Sequence, residues 1–354
     1  MGAAGTIGFG IIGLGMIAEF HTRAIAEMAG CRFTAGFDAV PGRADSFCAA
    51  NSGKAYSSLD AFLADPDIDI VTVATPSALH LDSAIAAIRA GKHLIVEKPL
   101  EITVERCDRI IAEAAAHKVR LGTVFPSRYF KPSRAVKQAI DEGRLGKIVL
   151  ADAQVKWYRD QEYYDSRKSR GTLEADGGGA LMSQGIHAVD LLQWFMGDVT
   201  EVFSRSATLA HERIEVEDTV AAVLQFANGA MGTIEATTCA YPGFLKKIEI
   251  CGSKGSIIME EENITAWQFD EERPEDEEIR GLYQKKPDSP IAGGASDPSA
   301  IDYRNHRYLF EAFVDAVQND RPFEIDGQEG RKSVEIVEGI YRSARSGKPQ
   351  ALPF

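Results

Sequence analysis

The sequence predicts a two-domain protein, α/β followed by α+β: a doubly wound parallel sheet over residues 1–125, then a large, mostly antiparallel open sheet within residues 126–354. Three observations carry this. Short apolar strands alternate with amphipathic helices as far as Phe125, an order that builds a parallel sheet with helices on both faces. Beyond Phe125 strand follows strand, and Asn228-Gly229 between two of them is a two-residue hairpin signal. A chain of 354 residues also exceeds the size at which a single hydrophobic core stops growing.

The first strand begins at Ile7. Gly8, Gly10 and Gly13 formally fit G-x-G-x-x-G, but Gly8 and Gly10 lie inside the apolar strand, so that match is a decoy. Gly13-Leu14-Gly15-Met16-Ile17-Ala18 follows the strand and opens a helix whose buried face reads Ile17, Phe20, Ala24, Ile25 and Met28. In a dinucleotide-binding (Rossmann) unit Gly13 permits the tight turn, Gly15 lets a pyrophosphate approach the backbone, and Ala18 keeps helix and strand close. The amino end of that helix, at Met16 and Ile17, receives the phosphates. The second strand, 32–37, ends at Asp38, twenty residues past Ala18. A carboxylate there meets the adenosine ribose hydroxyls and repels a 2′-phosphate, so NAD is the expected cofactor. Arg43, close by, keeps NADP open.

Helices expected at 41–51 and 58–64 lead to a strand at 68–74 and then to Thr75-Pro76-Ser77. A helix at 78–90 stops at Gly91, a residue suited to the left-handed position past a helix end. The strand 94–96 delivers Glu97 and Lys98 at its carboxyl end, and Pro99 cannot continue the ladder and biases Lys98 toward extended backbone. A helix at 103–117 and a strand at 119–124 complete the sheet. Ligands sit at the carboxyl ends of strands in such sheets, which puts Thr75, Pro76, Ser77, His80, Glu97 and Lys98 on the cofactor side. His80 equally suits local packing.

The second domain opens with an amphipathic helix at 132–142, with Pro132 at its start and Gly143 after its end. Strands are expected at 148–155, 199–209, 219–226, 230–238, 247–251 and 256–259. Spliced among them, Gly177-Gly178-Gly179 forms a loop, followed by a helix that carries His187 and Asp190. The acidic runs 260–262 and 271–278 read as a solvated edge and loop, and 285–297 as a loop rich in proline and glycine. Two helices, 303–318 and 329–344, close the chain, and no internal repeat is present.

Composition narrows the function classes. The chain is 45% hydrophobic and 26% charged, ordinary for a globular protein, and its net charge of −13 comes with no run of Lys and Arg to grip phosphates. Nucleic acid is not an expected partner. Cys31, Cys48, Cys107, Cys239 and Cys251 are odd in number, scattered and without a C-x-x-C pair, which fits a reducing, cytoplasmic setting and argues against a zinc site; no metal is expected. No apolar stretch reaches membrane-span length and no signal-peptide pattern opens the chain, so no membrane partner is expected. Residues 1–6 fit a loose myristoylation pattern, but a strand beginning at Ile7 leaves almost no arm for it.

These motifs together resemble the Gfo/Idh/MocA oxidoreductases. The resemblance rests on Gly13-Leu14-Gly15-Met16-Ile17-Ala18, Ala74-Thr75-Pro76, Glu97-Lys98-Pro99, Gly178-Gly179-Ala180-Leu181, Gly185-Ile186-His187-Ala188-Val189-Asp190 and the terminal 341–348 stretch. It covers nearly the whole chain. It implies an NAD(P)-dependent enzyme that moves a hydride between nicotinamide and a hydroxyl-bearing carbon of a sugar, sugar acid or cyclitol. It also implies a homodimer or homotetramer. Lys98 then corresponds to the family's catalytic lysine; beside a cationic ring and partly desolvated, its pKa is drawn toward neutrality. Glu97 is expected to orient the lysine or the cofactor.

His187 corresponds to the family histidine that acts as base or holds the substrate hydroxyl, a task imidazole suits near neutral pH. Family members with a Lys-Asp-His arrangement carry Asp four residues before the histidine, where this chain has Ser183. A serine cannot raise imidazole basicity as a carboxylate would, so a Lys98–His187 pair, or Lys98 alone, handles the proton, and Ser183 becomes a substrate contact. Asp190 could orient the ring from the other side or serve structurally. Arg128, Trp157, Tyr158, Tyr163, Tyr164, Arg170, Tyr241 and His306 are the expected substrate-side residues, aromatic faces suiting a sugar ring and arginines a carboxylate. Two other classes stay open at this level: a hydrolase or lyase using tightly held NAD transiently, and a non-catalytic NAD-binding regulator.

Overall fold

The computed structural model describes residues 5–167, 170–284 and 303–354. The segment 285–297, expected as a loop, and most of the 1–6 pattern lie outside them. The chain divides into two compact units, Met1–Pro126 with Tyr303–Val334, and Ser127–Asp302 with Glu335–Phe354.

The first unit runs β1 (Ile7–Ile12), α1 (Met16–Ala26), β2 (Cys31–Phe37), α2 (Arg43–Asn51), β3 (Lys54–Tyr56), α3 (Leu59–Leu63), β4 (Ile70–Val73), α4 (His80–Arg89), β5 (His93–Val96), α5 (Val104–His117) and β6 (Leu121–Thr123). The strands form a parallel sheet in the order β3-β2-β1-β4-β5-β6, reversing direction of progress beside β1 as a doubly wound fold does. β1 is buried along its whole length, which is why its residues read as an apolar run rather than an alternation. The two decoy glycines belong to packing. A Cβ on Gly8 would lie 1.8 Å from the Asp67 carbonyl oxygen, and one on Gly10 would lie 2.5 Å from the Phe62 ring.

The second unit contains α6 (Lys131–Asp141), β7 (Ile148–Lys156), α7 (Gln161–Asp165), α8 (Leu173–Asp176), a π-helical turn (Ala180–Gly185), α9 (Ile186–Met196), β8 (Val199–Ala207), β9 (Thr219–Phe226), β10 (Met231–Thr237), β11 (Lys247–Gly252), β12 (Gly255–Glu260), β13 (Asn263–Phe269) and α10 (Pro274–Tyr283). After α11 (Arg304–Gln318), helix α12 (Gly327–Ser346) and β14 (Gln350–Ala351) end the chain. Eight strands form one sheet, β13-β12-β11-β7-β10-β9-β8-β14, in which only β7 and β10 pair in parallel. Alternate residues of β9 and β10 are buried, so one face is packed. The other face leaves Leu150, Met231, Val223 and Phe203 exposed; Met231 stands opposite Leu150, and Phe203 opposite Val223.

Two expectations are corrected. The second domain is not contiguous over 126–354, because Tyr303–Val334 returns to the first unit. Its reason is apolar: Phe310 stacks on Phe9 at 5.9 Å, and Phe313 and Phe323 close over Gly122, where a side chain would meet both at 2.9 Å. The acidic run at 271–278 is not simply a solvated loop, since it opens α10 and buries Asp276. Asp276 accepts from Arg144 at 2.5 and 2.7 Å, from the Trp267 indole at 2.6 Å and from the Arg273 amide at 2.7 Å. The Arg144 bond, outweighing burial, holds this carboxyl below the usual aspartate range. Among the described residues no helix is long and apolar enough to cross a membrane.

Candidate functional site

In the first unit the candidate residues follow four adjacent strands, β2, β1, β4 and β5. Gly13 turns the chain out of β1 at φ +89°, a left-handed value that favours glycine, and a Cβ there would meet the Thr75 amide nitrogen at 2.7 Å. Gly15 differs: a Cβ there would find nothing within 4 Å, and α1 begins beside it with no side-chain cap. That pairing of open space and uncapped amides is what a pyrophosphate requires. Ala18 is fully buried, while Met16 and Ile17 form the first turn. Asp38 accepts from the Leu14 amide and the Val40 amide, each at 2.8 Å, and pairs with Arg43 at 3.2 Å. The carboxylate is thereby aimed beside the glycine turn, with Arg43 half exposed next to it. Thr75 ends β4 with its hydroxyl buried and unpartnered among the described residues, a polar atom that a bound ligand could satisfy. The residues present fit a dinucleotide.

Lys98 is half-buried at the end of β5. Glu97, expected on the cofactor side, is instead withdrawn into the unit, where His21 Nε2 lies 2.9 Å from its Oε1 and the Lys98 amide donates to Oε2 at 3.1 Å. Burial alone would raise this carboxyl; the His21 hydrogen bond, with the charges of His21, His306 and Lys98, outweighs it and keeps the group ionised. Its position supports the lysine backbone. His306, expected against substrate, is likewise buried, its Nε2 3.8 Å from Glu97 and its ring 5.6 Å from that of His21. It reaches this place because α11 packs on α1, an arrangement that periodicity cannot reveal. His80 is also internal rather than open to a cofactor. Its ring nitrogens lie 2.9 Å from the Pro99 carbonyl and 3.0 Å from the Thr75 carbonyl, so the ring ties together the two loops that carry Thr75 and Lys98. Burial pushes its pKa down.

In the second unit the glycine loop closes on a residue the sequence reading missed. Glu217 accepts from the Gly179 amide at 2.8 Å, the Leu181 amide at 2.9 Å and the Tyr341 hydroxyl at 2.9 Å. It lies just before β9 and gave no signal because nothing local marks its partners. Those bonds set the π-helical turn from which α9 starts, placing Ser183 and His187 one turn apart, both half-buried. The Ser183 hydroxyl donates to the Gly178 carbonyl at 3.4 Å. Arg128, expected as a substrate contact, is corrected: it is fully buried and binds Asp190 in a bidentate pair at 3.0 and 2.7 Å. Asp190 therefore serves that internal pair.

Most of the remaining candidates lie on the segment after β7, where Gln184 of the π-helical turn and Tyr241 from beyond β10 meet them. The Gln184 side-chain Nε2 donates to the Tyr163 hydroxyl at 3.2 Å, and Arg159 donates to the Gln184 side-chain Oε1 at 3.4 Å. Arg170 lies over the Tyr163 ring at 4.0 Å and donates to the Tyr163 carbonyl and the Ser166 hydroxyl, each at 2.7 Å. Trp157 is buried with an indole nitrogen that has no partner among the described residues. Tyr158 meets exposed Tyr241 edge-on at 5.2 Å. Tyr164 is turned inward, bonding Thr238 at 2.9 Å.

Comparison with known proteins agrees with both halves. Residues 7–125 match the oxidoreductase family with an NAD-binding Rossmann fold, and residues 133–258 match the GFO/IDH/MocA C-terminal domain. A 1,5-anhydro-D-fructose reductase of Ensifer adhaerens is 31% identical over 71% of this chain and 74% of its own. The chain belongs to the GFO/IDH/MocA oxidoreductase family. Inositol 2-dehydrogenase of Rhizobium meliloti is 26% identical over 96% of this chain and 97% of its own. Among solved structures, the WlbA dehydrogenase of Bordetella pertussis, in complex with NADH and UDP-GlcNAcA, is 36% identical, covers 99% of both chains and superposes with a TM-score of 0.88. Residues 7–125 are thus an NAD-binding Rossmann domain, and the homologues are NAD-dependent dehydrogenases of sugars and cyclitols.

Proposed function

We propose that this protein oxidises a CH–OH group of a sugar acid, with a nucleotide-linked uronic acid the leading compound. The observation that carries the substrate class is the full-length likeness to a dehydrogenase bound to UDP-GlcNAcA, together with Arg159, Tyr163 and Arg170 on the segment after β7, met there by Gln184 of the π-helical turn. NAD, when bound, supplies the hydride acceptor. Gly13, Gly15, Met16 and Ile17 hold its phosphates, Asp38 with Arg43 its ribose, and Thr75, Pro76 and Ser77 line its path. Asp38 favours NAD over NADP by charge repulsion.

Lys98 hydrogen-bonds the reacting hydroxyl and steadies the developing alkoxide, with Glu97 and His80 holding its loop. His187 accepts the hydroxyl proton, and Ser183, Trp157, Tyr158, Tyr163, Arg170 and Tyr241 contact substrate. The relatives are named for dehydrogenase and reductase chemistry, which favours net hydride transfer over transient NAD use or regulation. The test follows reduced nicotinamide with UDP-linked uronic acids, myo-inositol and levoglucosan, wild type beside Lys98→Ala. The expected result is NAD-linked turnover that falls by about 10²–10⁴-fold in the variant. Turnover untouched by the substitution would overturn the role of Lys98, and silence across the panel would overturn the substrate class.

The assembly is a homodimer or homotetramer joined through the exposed sheet face that carries Leu150, Phe203, Val223 and Met231, an apolar surface of the kind that marks association. A monomer by light scattering would refute that. A cytoplasmic location accords with five free cysteines.

A further inference from the structure

His211, Asp218 and Cys239 have no part in the chemistry above, yet their polar atoms converge in the second unit. His211 Nε2 lies 2.9 Å from the Arg159 carbonyl oxygen, which only accepts, so this nitrogen carries a proton. The other nitrogen, Nδ1, faces Asp218 Oδ2 at 3.1 Å and Cys239 Sγ at 3.6 Å. The Asp218 carboxylate is fixed in place by the amides of Leu209, Ala210 and His211, which donate to it at 2.8, 2.9 and 3.0 Å. The Cys239 sulfur also lies 3.8 Å from the Asp218 carbonyl and accepts from the Thr219 hydroxyl at 4.0 Å. A nitrogen, a carboxylate oxygen and a sulfur, all of the types that bind divalent metals, therefore converge within 4.8 Å of one another.

The spacing suits a metal ion. With bonds of about 2.0–2.1 Å to nitrogen or oxygen and about 2.3 Å to sulfur, neighbouring ligands of a tetrahedral zinc ion stand roughly 3.3–3.6 Å apart. The His211 ring donates its far N–H to a backbone carbonyl, the arrangement that orients metal-ligating imidazoles. Cys239 is only partly buried, which leaves a route for entry. The other convergent group, His21, Glu97 and His306, is different. All three of its members are buried, so no partly exposed side opens it to an ion.

We propose that His211 Nδ1, Asp218 Oδ2 and Cys239 Sγ form a three-ligand site for a zinc-class divalent ion, with water in the fourth position. The ion is structural. It ties the Arg159 backbone, the 208–211 loop and the end of β10 together, and Tyr158 bridges to Cys239 while the Tyr164 ring packs on His211 at 4.7 Å. Filling the site steadies the segment on which Tyr158 and Tyr163 are presented.

The test uses the full-length protein, stripped with a chelator and titrated with cobalt(II), then zinc. One equivalent of cobalt per chain is expected to raise a thiolate-to-cobalt charge-transfer band that zinc abolishes. The band should vanish in Cys239→Ser, persist in Cys251→Ser and weaken at least tenfold in affinity in His211→Gln. Zinc should raise the unfolding temperature of the wild type and leave that of Cys239→Ser unmoved. A band that survives Cys239→Ser, no band at all, or NMR showing a His211 ring with both nitrogens protonated and indifferent to added zinc would each overturn the site.

Discussion

Two glycine-rich segments of this chain look alike in sequence and work in opposite ways. At the end of β1, Gly15 keeps a space that the protein itself leaves empty, since a Cβ there would touch nothing within 4 Å. Before α9, the glycines keep space for the protein. A Cβ on Gly179 would lie 1.7 Å from the Glu217 carbonyl oxygen, and one on Gly178 would lie 2.3 Å from the Tyr341 hydroxyl. Gly13 belongs with this second group although it sits in the first motif, because the turn it makes is pressed against Thr75. A glycine that serves a ligand is expendable for folding, whereas one that serves packing is not.

The sharpest way to break that distinction is Gly179→Ala. The added carbon meets backbone, which cannot swing aside, so a loss of about 3 kcal/mol or more is expected, read as a lower urea midpoint at unchanged slope. Wild-type stability would show the loop to be free to move. Next comes Tyr341→Phe, which removes the hydroxyl that donates to Glu217 and accepts from the Met182 amide at 3.2 Å. A cost of about 1–3 kcal/mol is expected from the groups left unpaired.

A smaller effect is expected from acid titration of Glu217. Burial pushes its carboxyl above the ordinary value, against the bonds from Leu181, Tyr341 and Gly179. The folded state then holds the proton to higher pH than the unfolded state does. The group's contribution is complete below the ordinary glutamate pKa and declines as pH rises through the raised folded value. Unfolding free energy measured across that window should fall with pH in the wild type relative to Glu217→Gln; parallel curves would contradict the shift. The smallest change in stability belongs to Gly15→Ala, within about 0.5 kcal/mol, as for a surface substitution. Its affinity for NAD should nevertheless drop about tenfold, roughly 1.4 kcal/mol. Unaltered NAD binding would remove Gly15 from the cofactor site.

The same contrast explains what was legible in advance. The Rossmann elements, Asp38 at the end of β2 and Lys98 at the end of β5 follow from local alternation and from residues a few positions apart. Misreadings concentrate where a polar residue is spent on a distant partner. Arg128 pairs with Asp190 across 62 positions, and His306 arrives at Glu97 from the far end of the chain. Asp276, within an acidic run that reads as solvent-facing, is buried because Arg144 and Trp267 wait for it. Short edge strands such as β3 carry too few residues for a period to register.

By itself the sequence determined the strand–helix alternation, the dinucleotide turn, the hairpin sheet and the lysine at a strand end, because each rests on backbone geometry and side-chain periodicity within about twenty residues. Only the tertiary structure decided that 303–334 returns to the first unit, that Glu97, His80 and Arg128 face inward, and that His211, Asp218 and Cys239 share one centre. Those outcomes depend on which buried charge finds which partner, and a desolvated polar group is satisfied by proximity in space, to which distance along the chain is indifferent.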